Sequence, residues 1–216
     1  MSRWGWLVSD AGLAFRIAIG GGIFAILAAV DFIRHGRQAT RWREYAFLIA
    51  AVGCAMLYGA INDAIASRIS WEYFYYGKDV KRLLGPTAPP DATALTHAAV
   101  ALGLRATWTA GLLIGAILLM ANNPKPGRRP VPYGVLALWV LVIAAVAAFT
   151  ALLGAAAGFH GYLNWTNADL AGIWRENLFR PPRFLTVYGM NLGGYAGGAL
   201  GTAAAVIWIR RVRRQS

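Results

Sequence analysis

Five stretches of this chain are too long and too apolar for the interior of a small soluble domain: residues 12–33, 45–65, 94–121, 133–159 and 184–209. A helix needs about 20 apolar residues to cross a hydrocarbon core of roughly 30 Å, at about 1.5 Å per residue. Each run reaches that length. The runs are continuous instead of short and alternating, so they predict helices and not barrel strands. Composition agrees, because 58% of the 216 residues are hydrophobic and 14% are charged, too few for the charged coat of a soluble protein. The predicted fold is all-α: a polytopic membrane protein with five transmembrane helices, forming a single integral domain over residues 1–216.

The net charge of +12 invites a nucleic-acid reading, but its placement argues otherwise. Arg34, Arg37, Arg41 and Arg43 follow the first run; Lys125, Arg128 and Arg129 follow the third; Arg210, Arg211, Arg213 and Arg214 follow the fifth. With five spans these clusters share one side, and Lys and Arg are retained in the cytoplasm, so the N-terminus is expected outside and the C-terminus cytoplasmic. The bases thus serve topology, and no nucleic-acid partner is expected. The loops 67–93 and 160–183 carry Glu72, Asp79, Asp91, Asp169 and Glu176 among their bases and fall on the outer side. The first run reads as a retained helix instead of a signal peptide, since Arg16 interrupts it and its basic cluster follows it. The lipid bilayer is the expected principal partner.

The outer loops have room for short structured segments. Thr166 or Asn167 is suited to cap a helix with Leu170, Ile173, Trp174 and Leu178 on one side, ended by Pro181 and Pro182. The aromatic block Ser70-Trp71-Glu72-Tyr73-Phe74-Tyr75-Tyr76 is expected to lie in the membrane interface. Gly189, Gly193, Gly197 and Gly201 recur every fourth residue, with Gly111 and Gly115, and Gly154 and Gly158, spaced likewise. Such rows let helices approach closely, either within the chain or at a seam with another membrane protein or a second copy.

Ionisable groups at membrane depth need partners. Arg16, Asn62, Asp63, His97, Arg105, His160, Asn191 and Tyr195 all fall in the outer half of their spans, and Glu72 sits just beyond. His97 and Arg105 share a helix side, as do Tyr188, Asn191 and Tyr195. These residues are expected to converge on an outward-facing polar pocket, or else Asp63 and Arg105 form a structural ion pair. Asp31 is expected to snorkel near Arg34. Asp63, Glu72, His97 and His160 could hold zinc or iron, and the two histidines a haem, although no HExxH pair or cysteine cluster is present. The lone Cys54 lies in an apolar run, no GxSxG motif occurs, and no inverted repeat supports a transporter.

Tyr58-Gly59-Ala60-Ile61-Asn62-Asp63, followed by Ile69-Ser70-Trp71-Glu72-Tyr73-Phe74, resembles a pattern in a family of bacterial multi-pass membrane proteins that have no assigned activity. In that family an Asp near a span end precedes an Ile-Ser-x-Glu-Tyr-Phe-like segment, and a glycine-rich last span carries an Asn and a Tyr, here Asn191 and Tyr195. This chain has Leu192 where a His is expected beside that Asn. The resemblance implies an envelope location and a shared outer motif. The functional expectation is a non-enzymatic binding or assembly component using the outer pocket. The alternative is a metal-dependent enzyme or redox protein using its Asp, Glu and His residues.

Overall fold

The structure, a computed structural model, describes residues 10–36, 39–123, 129–163 and 180–215. It consists of five long helices: α1 (Asp10–His35), α2 (Arg41–Ile69), α3 (Ala92–Ala121), α4 (Tyr133–Phe159) and α5 (Pro181–Gln215). All five are long and apolar enough to cross a membrane, and no strand occurs among the described residues. The helices contain the five apolar runs and extend a turn or so beyond most of them. At α5 the extension is instructive. Pro181 and Pro182, expected to terminate a preceding segment, instead open the last helix, because proline in the first turn forfeits only N–H groups that have no helical acceptor. The proposed helix of residues 166–178 lies outside the described residues, as do the side chain of Arg16, Arg37, Lys125 and Arg128.

Two antiparallel helix pairs make the body of the molecule: α2 packs mainly on α3, and α4 on α5. Glycine sets both contacts. A methyl group on Gly59 would lie 2.6 Å from the Gly103 carbonyl oxygen, and one on Gly111 would lie 2.7 Å from that of Ala51. In the second pair, Gly154 faces Gly189, Gly158 faces the Leu185 carbonyl, and Gly193 faces that of Thr150, each without space for a side chain. The glycine rows read from the sequence are therefore filled by neighbours in the same chain, and the alternative of an intermolecular seam along them is not supported.

Hydrogen bonds define one end of the bundle. Arg213, 5% exposed, donates through Nη1 to the Ala121 carbonyl (2.7 Å) and through Nη2 to that of Asn123 (2.6 Å), tying the ends of α5 and α3 together. Asn122 clasps Val131 across the α3–α4 connection, accepting its N–H at 2.7 Å and donating to its carbonyl at 2.9 Å. Tyr133 reaches Glu44 of α2 at 3.3 Å. Asp31 does not lean on Arg34 as expected. It is buried, contacts His35 Nδ1 at 2.9 Å, and accepts the Arg41 N–H at 3.0 Å, which fastens α1 to the start of α2. Beyond this joint α1 has little packing apart from the stacked rings of Phe24 and Tyr45.

The opposite end is closed by the aromatic block. Tyr73–Gly77 forms a π-helical turn followed by one α-helical turn, Lys81–Leu84. Tyr73, Phe74 and Tyr75 are buried, with Tyr73 against Phe184 of α5 at 5.3 Å between ring centroids. The block plugs the bundle end, with Tyr73, Phe74 and Tyr75 buried within the chain.

Candidate functional site

Between the two helix pairs runs a groove of about 630 Å³. Small residues open it: Ala51 and Ala55 from α2, Ala106 and Ala110 from α3, Ala144 and Ala147 from α4, Gly198 and Ala203 from α5. Its body is hydrocarbon, supplied by Leu113, Ile117, Val140, Ile143 and Val206. From Asn191 to Val206 the groove follows α5 for about 22 Å, at about 1.5 Å per residue. It opens sideways from the bundle, since Leu113 and Tyr195 on its wall are 62% and 64% exposed.

The charged and amide groups gather at one end, whereas along the body Thr107 and Thr202 donate their hydroxyls to the Gly103 and Gly198 carbonyls of their own helices. Asn62 is central, donating through its Nδ2 to Asp63 Oδ1 at 3.1 Å and to Asn191 Oδ1 at 3.2 Å. Asn191 in turn donates to the Val187 carbonyl one turn back, so its amide is fixed. The Tyr58 hydroxyl sits over Gly194, where a methyl group would come within 2.7 Å of it. Tyr195 and Lys78 complete the lining. Lys78 lies 5.5 Å from the centre of the Tyr73 ring. Burial pushes the Tyr73 phenol well above its ordinary range, helped by Tyr195 and Asp63 and opposed by the Asn191 amide, so it remains a neutral O–H at any physiological pH.

The structure thus brings together four of the residues singled out from sequence: Asn62, Asp63, Asn191 and Tyr195. The other four lie elsewhere. His97 and His160 are exposed, and His160 rests against Phe159 and Tyr162. Arg105 lines neither this groove nor the second cavity described below. The Asp63–Arg105 pair is not formed, for Asp63 is held by Asn62, and Lys78 is the cation in its vicinity. Glu72 lines the second cavity and not the groove. No group of three or more His, Cys, Asp or Glu residues suited to a metal ion occurs among the described residues.

Tyr58, Tyr73 and Lys78 were not among the sequence candidates. Tyr58 precedes Asn62 by four positions and shares its helix face, a signal present in the sequence. Lys78 reaches the groove, and Tyr73 the Asn191 amide beside it, only because the loop folds back. Comparison with protein-family models, curated proteins and solved structures gave no match, so the resemblance described above rests on its own residues.

Proposed function

We propose that this chain is a multi-pass protein of a bacterial inner membrane that binds an amphiphilic molecule from the bilayer in the groove between its helix pairs. One observation carries the reading: a largely hydrocarbon-lined channel whose charged and amide groups, Asn62, Asp63, Lys78 and Asn191, gather at one end matches a molecule with an apolar tail and a polar head. The Asp63 carboxylate and the tyrosine hydroxyls suit a head rich in N–H or O–H donors, and the lateral opening suits entry from lipid. The reading makes the protein a non-enzymatic binding component, with its polar pocket in the outer half of the membrane and its arginine-rich end in the cytoplasm.

Gly198 provides the test, because it lines the groove and a Cβ added there would meet nothing within 4 Å. Gly198→Phe should fill the channel without disturbing the helix pairs. Native mass spectrometry of the protein released from membranes should find a bound amphiphile in the wild type and at least about tenfold less in the variant, the scale of about 1.4 kcal/mol. Equal retention by both would exclude the groove as the binding site.

A further inference from the structure

At the end of the bundle that carries the aromatic plug lies a second cavity, of about 370 Å³, which shares no lining residue with the groove. It is built where α2 ends and where α3 and α5 begin. Glu72 forms its inner wall. The carboxylate belongs to a residue only 1% exposed, and Oε2 accepts a hydrogen bond from Ser70 Oγ at 2.8 Å. The Ser70 hydroxyl oxygen also accepts the Tyr73 N–H at 3.3 Å, which holds the acid from behind. Oε1 is buried and has no hydrogen-bond donor among the described residues. A buried carboxylate oxygen left in that state is costly, because nothing replaces the water it gave up. Arg68, Arg180 and Arg183 also line the cavity, and all three are exposed, so they form its rim. None of them donates to Glu72, whose hydrogen bond goes to Ser70.

A simple anion would meet three favourable guanidinium groups at the rim and an unfavourable carboxylate within. A simple cation would meet the reverse. We propose that the cavity binds a small zwitterion, whose primary ammonium donates to Glu72 Oε1 and whose phosphate or carboxylate is held by the arginine rim. The volume is many times the roughly 30 Å³ share of one water, enough for an aminoethyl phosphate or an amino acid. Its position at a bundle end gives two sources for the same chemistry: the headgroup of an ethanolamine lipid, or a soluble amino-phosphate or amino acid. Arginine suits the anionic part, because its planar fork pairs bidentately with phosphate and carboxylate.

The decisive comparison is ethanolamine against choline, because choline keeps the positive charge but has no N–H to give Glu72. The full chain in nanodiscs of phosphatidylethanolamine, phosphatidylcholine and phosphatidylglycerol reports lipid selection by native mass spectrometry. Titration of the detergent-solubilised chain with phosphoethanolamine, phosphocholine and inorganic phosphate reports the soluble source. An ethanolamine preference of about tenfold or more is expected, the value of one charge-assisted hydrogen bond. Preference in the nanodisc identifies a lipid ligand, and preference in the titration alone identifies a soluble one. Glu72→Gln should abolish the preference. Arg183→Gln, on an exposed side chain, should weaken phosphate-bearing ligands about tenfold while keeping it. Equal binding of ethanolamine and choline in both formats would overturn the proposal. So would inorganic phosphate binding as tightly as phosphoethanolamine, or a folded Glu72→Gln protein that still discriminates.

Discussion

Single side chains carry the ends of this bundle, where helices leave backbone groups unsatisfied. Arg213 covers two carbonyls at the end of α3 with charged donors, and it is placed where a helix C-terminus attracts positive charge. Arg213→Ala should lower stability by about 2–4 kcal/mol, measured by thermal unfolding in detergent. Asn122→Ala should cost a similar amount, about 2–4 kcal/mol, since it strands both backbone groups of buried Val131. Asp63 behaves differently. Its hydrogen bond comes from the neutral Asn62, so Asp63→Asn should leave folded yield and melting temperature close to wild type. A collapse of yield would show instead that Asp63 balances a buried cation. The sequence spacing already linked Asn191 to Tyr195 and placed Asn62 beside Asp63. It could not reveal which helix faces meet, and the tempting charge pair of Asp63 with Arg105 was lost for that reason.

At the scale of helices, lipid removes the hydrophobic drive that joins helices in water, and contact must come from close backbone approach. The lengths of α2 to α5 were legible in the sequence because each apolar run is continuous over a length that could cross a bilayer, and the glycine rows were legible because their spacing is helical. What the rows face was not, since an i, i+4 pattern serves an intramolecular pair and an intermolecular seam equally well. The structure resolves this through specific collisions. Gly103→Ala would drive its methyl group into the Gly59 backbone, and Gly154→Ala would do the same to Gly189. Either variant should destabilise by about 1–3 kcal/mol or more, as overpacked cores do, and lower folded yield on size exclusion. Gly53→Ala is the matched control, because it meets nothing within 4 Å and only gains helix propensity. If Gly53→Ala proves as harmful as Gly103→Ala, the damage comes from lost flexibility and not from the helix contact. The aromatic block was harder to read from sequence. A run of rings between a span and a proline-rich loop suits an interface and a core equally, and its burial depends on Phe184, more than a hundred residues away.

For the molecule as a whole, the antiparallel pairing of α2 with α3 and of α4 with α5 limits how the chain can sit in a bilayer. The ends of α3 and α5 are joined by Arg213, and the starts of α2 and α4 by Tyr133 and Glu44. Residues 34–36, 39–43, 129 and 210–214 therefore belong to one end of the bundle, whichever way the molecule is inserted. Arg213 is consumed by the fold, but the other arginines at that end remain as topological signals. Reversing the molecule would carry all of them across the membrane together, which the asymmetry of insertion opposes. The head of the groove and the Glu72 site both lie at the bundle end opposite those arginines, and the hydrocarbon body of the groove runs toward them. Reporter fusions after residue 126 and after Ser216 should both give cytoplasmic signals, and one after Thr87 should give an exported signal. Finding 126 and Ser216 on opposite faces would break the pairing of α4 with α5. Finding both exported would keep the bundle but invert it, and would put the zwitterion cavity in contact with cytoplasmic solutes instead.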